Sequence, residues 1–177
     1  MNFGINESLP FKAVTIAVLI ISDTRTLETD TSGKILEDRI KAAGHNFHAR
    51  TIVKDDVDDI QNIVSGYIDN PKVDVVITSG GTGLTGRDIT PEAVTPLFEK
   101  TIDGFSAVFH QVSYQTIGLS TLQSRAFAGL ANSTFIFCLP GSTGAVKDGW
   151  DQILVHQLDS RYRPCNMVEL MPRLAET

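Results

Sequence analysis

The run "VTIAVLIIS" at residues 14–22 is uncharged throughout and rich in β-branched side chains. A strand with one wet face alternates polar and apolar residues, and this one does not. Both of its faces must therefore be covered, which calls for a sheet with layers on either side. A similar run, "VDVVITS", follows at 73–79. Between the two lie two stretches with helical spacing. The first opens at "DTSG" (30–33), where Asp30 or Thr31 can cap it. Ile35, Leu36, Ile40 and Ala43 give it an apolar face, and Gly44 ends it. A shorter strand, "FHARTIV", comes next. The second helix carries Val57, Ile60, Ile63, Val64, Tyr67 and Ile68 on one face and stops before Pro71. The order β-α-β-α-β implies parallel strands joined by right-handed crossovers. The expected fold class is α/β: a three-layer domain with a mostly parallel central sheet flanked by helices.

The second half extends the same pattern. Thr90 followed by Pro91 predicts a helix start, with threonine as the cap and proline at the first helical position. A longer helix at about 105–117 puts Phe105, Val108, Phe109, Val112 and Thr116 on one face. "AFAGLANSTFIFCLPG" reads as two short strands about a turn at Asn132. A last helix, at about 144–158, carries Val146, Trp150, Ile153, Leu154 and Leu158. The tail "RYRPCNMVELMPRL" reads as an irregular strap. Residues 1–12 read as a flexible N-terminal arm and 13–177 as one domain, which suits a chain of 177 residues.

Charge and cysteine usage narrow the function. The net charge is −6 and there is no basic run, so neither nucleic acid nor an anionic membrane is an expected partner. An anionic ligand would have to be held by a local site. The two cysteines form no C-x-x-C pair, and Cys138 lies in an apolar run, which suits a reducing cytoplasm. "AVTIAVLII" is too short to span a bilayer and "SDTRT" follows it instead of a small-residue cleavage site.

The local site is written after the third strand, as "TSGGTGLTGRDITPEA" (78–93). In open parallel sheets, ligands bind beyond the carboxyl ends of the strands. Glycines there let the backbone take positive φ, and successive N–H groups then form a nest for an anion such as phosphate. Gly81 to Asp88 has the glycine spacing of G-x-x-x-x-G-K-[ST], but Arg87 replaces the lysine and Asp88 the hydroxyl residue. Pro91 also starts its helix late for such a loop, so a P-loop-type nucleotide hydrolase is the weaker alternative. Asp23, Asp30, Asp55 and Asp88 each fall at a strand end or helix start and would ring one rim. Carboxylates beside phosphate call for a bridging cation, usually Mg²⁺. A carboxylate can also accept two N–H bonds from a guanine-like edge such as a pterin's. The aspartates thus suggest a metal-bound nucleotide, a pterin, or both. His45 and His48 have no third metal-ligating partner nearby in the sequence.

The order and spacing of "SD" after strand one, "DTSG", "GGTGLTGRDITPE", "LQSR" (122–125) and "LPGST" (139–143) resemble the MoaB/Mog family of molybdenum-cofactor proteins over roughly residues 12–166. "TLQSRA" and "RPCN" resemble the bacterial MoaB branch in particular. The resemblance implies a trimer or hexamer that binds molybdopterin, a pterin with a dithiolene and a terminal phosphate. Catalytic members adenylylate that phosphate with MgATP, releasing pyrophosphate and preparing the pterin for molybdenum insertion by a further protein. A non-catalytic carrier or scaffold for molybdopterin is the alternative.

By matching motif, the resemblance implies that Ser79, Gly80, Gly81, Thr82 and Gly83 cradle substrate phosphates together with Pro140, Gly141 and Ser142. Asp55 and Asp88 are the implied catalytic residues and would contact Mg²⁺ through its ATP complex. Ser22, Asp23, Asp30, Ser32, Gly33, Arg87, Ser124 and Arg125 complete the implied substrate site. The sequence departs from the catalytic pattern at Lys34 and Lys54, where proline is common, and at Gly144, where many catalytic relatives carry lysine.

Overall fold

A computed structural model gives the architecture and describes residues 3–176. The elements run β1 (Gly4–Ile5), β2 (Thr15–Ile21), α1 (Thr31–Ala42), β3 (Asn46–Val53), α2 (Val57–Ile68), β4 (Val75–Ser79) and α3 (Thr90–Val94). They continue with β5 (Lys100–Thr101), α4 (Asp103–Ile117), β6 (Phe127–Ala131), β7 (Thr134–Leu139), α5 (Thr143–Gly149), α6 (Val155–Gln157) and β8 (Tyr162–Arg163).

The central sheet has the order β3-β2-β4-β7-β6-β5. Its first four strands are mutually parallel, and β6 and β5 close the far edge in antiparallel pairings. The β6–β7 hairpin turns through Asn132 (φ 43°) and Ser133 (φ 67°). Two successive left-handed residues match the twist of the strands they join.

Both faces of the sheet are covered, as the unbroken apolar run of β2 requires. Ile16, Val18 and Ile20 face one cluster, packed with Leu36 and Ile40 of α1, Phe105 and Phe109 of α4, and Trp150. Ala17, Leu19 and Ile21 face the other, with Ile60 and Val64 of α2 and Ala93 and Val94 of α3. Complete burial of a Leu or Ile side chain contributes roughly 1.5–3 kcal/mol. These two clusters therefore hold the helices to the sheet.

Three local expectations change. The cap position before α3 belongs to Ile89, which makes no side-chain cap bond. Thr90 instead turns its hydroxyl inward to the Gly80 carbonyl. The last helix is one run from Thr143 to Gln157 with a π turn at Trp150–Leu154, where Trp150, Ile153 and Leu154 are all buried. Residues 1 and 2 lie outside the described residues. From Gly4 onward the N-terminal segment is bound to the C-terminal strap rather than loose. β1 pairs with β8, the Asn6 amide donates to the Arg161 carbonyl, and Ser160 Oγ bridges the Pro10 carbonyl and the Lys12 amide.

Candidate functional site

The parallel strands β2, β3, β4 and β7 end on one rim, and the two glycine loops meet there. The first loop leaves β4 at Ser79. The Gly80 amide still donates to the Leu139 carbonyl at 3.0 Å, which extends the ladder by one step. Gly80 then takes φ +119°, where a Cβ would lie 2.1 Å from the Ile21 carbonyl oxygen. Gly81 follows at φ +62°, with the same vacant Cβ position 2.3 Å from Thr90 Oγ1. Only glycine fits at these two positions.

The loop is held from behind by several bonds. Thr90 donates from its hydroxyl to the Gly80 carbonyl (2.8 Å) and from its amide to the Gly81 carbonyl (2.9 Å). Asp88 Oδ2 accepts from the Thr85 amide (2.9 Å) and hydroxyl (2.6 Å). Arg125 donates to the Gly83 carbonyl (2.8 Å) and the Asp88 carbonyl (2.6 Å) and pairs with Glu92. These contacts engage the carbonyls. Among the described residues, the Gly81 and Thr82 amides have no acceptor, and neither have those of Gly141 and Ser142. Unpartnered amides on paired glycine loops form an anion nest.

The second loop is registered against the first. Ser79 Oγ donates to the Pro140 carbonyl at 3.2 Å, and Ser32 Oγ donates to the Gly141 carbonyl at 2.8 Å. Ser142 caps α5 by accepting from the Ala145 amide. Between the loops lies a cleft of about 450 Å³. Gly80, Gly81, Thr82, Gly83, Pro140, Gly141 and Ser142 line its base, with Ser22, Asp55, Arg87, Asp88 and Ser124 around it.

The other residues expected in the site stand behind or beside it. Ser79 is buried under the loop. Asp30 is buried as the cap of α1, accepting from the Gly33 amide at 2.8 Å and from Arg50 at 3.3 Å. Ser32 and Gly33 belong to that same first turn, and Arg125 props the loop. Asp23 sits next to the cleft, holding Arg87, and lines a second cleft of about 470 Å³ with Arg25, Arg50 and Lys54.

The sequence reading missed one wall. Ser113 and Ile117 of α4, with Ser120 and Gln123 in the 3-10 turn that follows, face the expected residues across the cleft. The signal was there: the stripe Phe105, Phe109 continues at the same spacing through Ser113 to Ile117. Where it leaves the core, the stripe becomes the cleft wall.

The carboxylates differ in their surroundings. Burial pushes the Asp55 pKa up, and the Asp23 and Asp88 charges add to the rise against Arg87. The Asp23 backbone amide acts on this carboxylate in the opposite direction but does not offset the rise. Burial acts on Asp88 in the same direction, but the Thr85 hydroxyl, the Thr85 and Gly83 amides and Arg125 outweigh it and hold the pKa below the usual range. Asp55 is thus the carboxylate that an added cation would relieve most. Among the described residues no group of three or more His, Cys, Asp and Glu side chains forms a protein metal cage. Mg²⁺ needs only one or two carboxylates when phosphate oxygens complete its shell, so Asp55 fits a metal that arrives with a nucleotide.

These features define an α/β protein with a glycine-lined cleft at the carboxyl rim of its parallel strands. Residues 17–160 match the family model described as "Probable molybdopterin binding domain". The chain is 48% identical over 159 residues to molybdenum cofactor biosynthesis protein B of Escherichia coli K12, covering 90% of this chain and 94% of that protein. A crystal structure of a molybdenum cofactor biosynthesis protein B superposes with a TM-score of 0.81 at 44% identity, covering 83% of this chain and 92% of that one. The tungsten cofactor synthesizing protein MoaB of Pyrococcus furiosus superposes with a TM-score of 0.73 at 34% identity, over 81% and 91% of the two chains. The chain belongs to the MoaB/Mog family of molybdenum cofactor biosynthesis proteins. Among the described residues no helix is long and apolar enough to cross a membrane.

Proposed function

We propose that this protein binds molybdopterin and adenylylates its terminal phosphate with MgATP, releasing pyrophosphate. One observation carries the reading: two registered glycine loops with unpartnered amides face a cleft that also holds Asp55, a carboxylate whose pKa burial and neighbouring carboxylates push up. A phosphate oxygen of molybdopterin forms a bond to the α-phosphorus of ATP. The bond from that phosphorus to the bridging oxygen breaks, and pyrophosphate leaves with the electron pair. Both reactants are anions, so the work is positioning and charge neutralisation, and no side-chain nucleophile is required.

The roles divide by geometry. The amides of Gly81, Thr82, Gly141 and Ser142 hold phosphate oxygens. Asp55 would hold Mg²⁺ that comes with the nucleotide, and Asp88 fixes the loop through Thr85 and completes the acidic side. Mg²⁺, when bound, supplies positive charge to the ATP phosphates. Ser113, Ser120, Gln123 and Ser124 offer hydroxyl and amide groups to the polar edge of the pterin. Assembly as a trimer or hexamer, action in the cytoplasm and delivery to a molybdenum-insertion protein belong to the same proposal. Exposed Tyr114, Ile117, Leu119 and Leu122, on α4 and the turn that follows it, support assembly.

A second reading, molybdopterin binding without turnover, is favoured by the scarcity of cations. Arg87 is the one basic side chain lining the cleft among the described residues, and Asp23 already holds it. Gly144 contributes no charge, and Lys147 does not line the cleft. Calorimetric titration with molybdopterin and with MgATP, paired with a pyrophosphate-release assay, separates the two. Binding of both and release of pyrophosphate support adenylylation. Pterin binding without MgATP binding or release supports the carrier.

A further inference from the structure

Arg87 projects from the exposed end of the glycine loop, and 66% of its side chain is solvent-accessible. The Nε–Nη2 edge of its guanidinium is engaged with one partner. Nε donates to Asp23 Oδ2 at 3.0 Å, and Nη2 reaches Asp23 Oδ1 at 2.8 Å and Oδ2 at 2.7 Å. Asp23 in turn is anchored: its Oδ1 accepts the Asp55 amide at 3.3 Å. The cleft's one cation among the described residues is therefore held at its edge by a carboxylate that does not line the cleft.

Two physical facts make this arrangement exchangeable. An exposed ion pair gains little over its separately hydrated partners. A phosphate group offers the same bidentate acceptor geometry as a carboxylate, with more charge. A phosphate entering beside Arg87 competes with Asp23 for the same fork of N–H donors. The surrounding carboxylates, Asp55 and Asp88, favour keeping the guanidinium nearby once Asp23 has released it.

We propose that Arg87 is a transferable anion clamp: Asp23 holds its guanidinium in the free protein, and a phosphate-bearing ligand takes it over on binding. Arg87 is the binding residue and Asp23 the positioning residue. Asp23 keeps the arginine at the edge of the cleft at the expense of anion affinity. The inference rests on reading the cleft as a phosphate site, and it stands with or without adenylyl transfer.

The test is calorimetric titration of the full-length protein with inorganic pyrophosphate, without metal and at fixed ionic strength. Asp23→Asn frees the arginine and is expected to tighten binding about two- to fivefold, the scale of an exposed ion pair. Arg87→Gln removes a charge-assisted fork and is expected to weaken binding at least about tenfold. In the double variant, Asp23→Asn is expected to change nothing further. Losing the Asp23 charge also removes its direct repulsion of an anion, so tightening by Asp23→Asn that persists in the double variant overturns the clamp. Unaltered or weaker binding in Asp23→Asn overturns the clamp, as does wild-type affinity in Arg87→Gln or absence of pyrophosphate binding in the wild type. Assaying adenylyl transfer on the same proteins keeps the readings apart. The expected binding pattern without adenylyl product leaves the clamp and removes the reaction, and product with unchanged pyrophosphate affinities does the reverse.

Discussion

Thr90 Oγ1 donates to the Gly80 carbonyl oxygen at 2.8 Å, and the bond is buried. It joins the first residue of α3 to the strained start of the glycine loop, ten positions back in the chain. Replacing Thr90 by valine keeps the shape and leaves a buried carbonyl without its donor. The expected loss is about 1–3 kcal/mol, read from urea unfolding. Thr90→Ser keeps the donor and should lose clearly less.

Two glycines of the same loop make opposite predictions. Gly80 combines φ +119° with a backbone oxygen 2.1 Å from any Cβ, so Gly80→Ala should cost at least about 3 kcal/mol. Gly86 has nothing within 4 Å of that position and no positive φ, so Gly86→Ala should stay within about 0.5 kcal/mol of wild type. Urea unfolding of the two variants checks both. Equal effects would contradict a loop in which Gly80 alone of the two is conformationally required.

Asp55→Asn should separate activity from stability. The folded protein raises the Asp55 pKa above its ordinary 3.8, so the charged form is disfavoured by folding. A carboxyl of this kind contributes stability at pH below 3.8 and loses that contribution as pH rises through its folded value. At neutral pH the asparagine variant should therefore be at least as stable as wild type. Its adenylyl-transfer rate should fall by about a hundredfold or more. Unfolding curves and initial rates measured together test the pair of expectations.

His45 sets a pH dependence away from the cleft. Its Nδ1 accepts the Val14 amide at 3.3 Å, so the ring is neutral with the proton on Nε2. Burial lowers its pKa below 6.5, more than the Asp159 charge raises it. Below pH 6.5 the unfolded chain takes up a proton at this position that the folded protein resists. Its contribution to stability is full above pH 6.5 and declines as pH falls toward the folded-state pKa. Urea midpoints across pH 5–8 should fall on the acidic side, with a smaller slope in His45→Asn.

How much of this was legible follows from the range of the interactions. Periodicity and caps act within a few residues, so β2, α1, α2 and the β6–β7 turn could be placed from the sequence. The Asp30 cap and the loop glycines are of the same kind. What the sequence could not display are contacts made through the fold. Thr90 has the side chain of a helix cap, yet its nearest strong acceptor is a carbonyl of the loop. Ser32 looks like a ligand contact, yet it donates to Gly141, 109 positions away. Arg125, expected at the substrate, supports the loop through Gly83 and Asp88. The wall of Ser113, Ile117 and Ser120 was missed because a helix stripe does not announce where it leaves the core.

In the proposed reaction two phosphates meet between the two glycine loops, and mass spectrometry reads the product of that meeting. Purified protein is mixed with molybdopterin, ATP and Mg²⁺, and the pterin is recovered and weighed. The expected product is adenylyl-molybdopterin that forms only when all three are present and is sharply reduced in Asp55→Asn. Molybdopterin recovered bound but unchanged, in the presence of saturating MgATP, would contradict it.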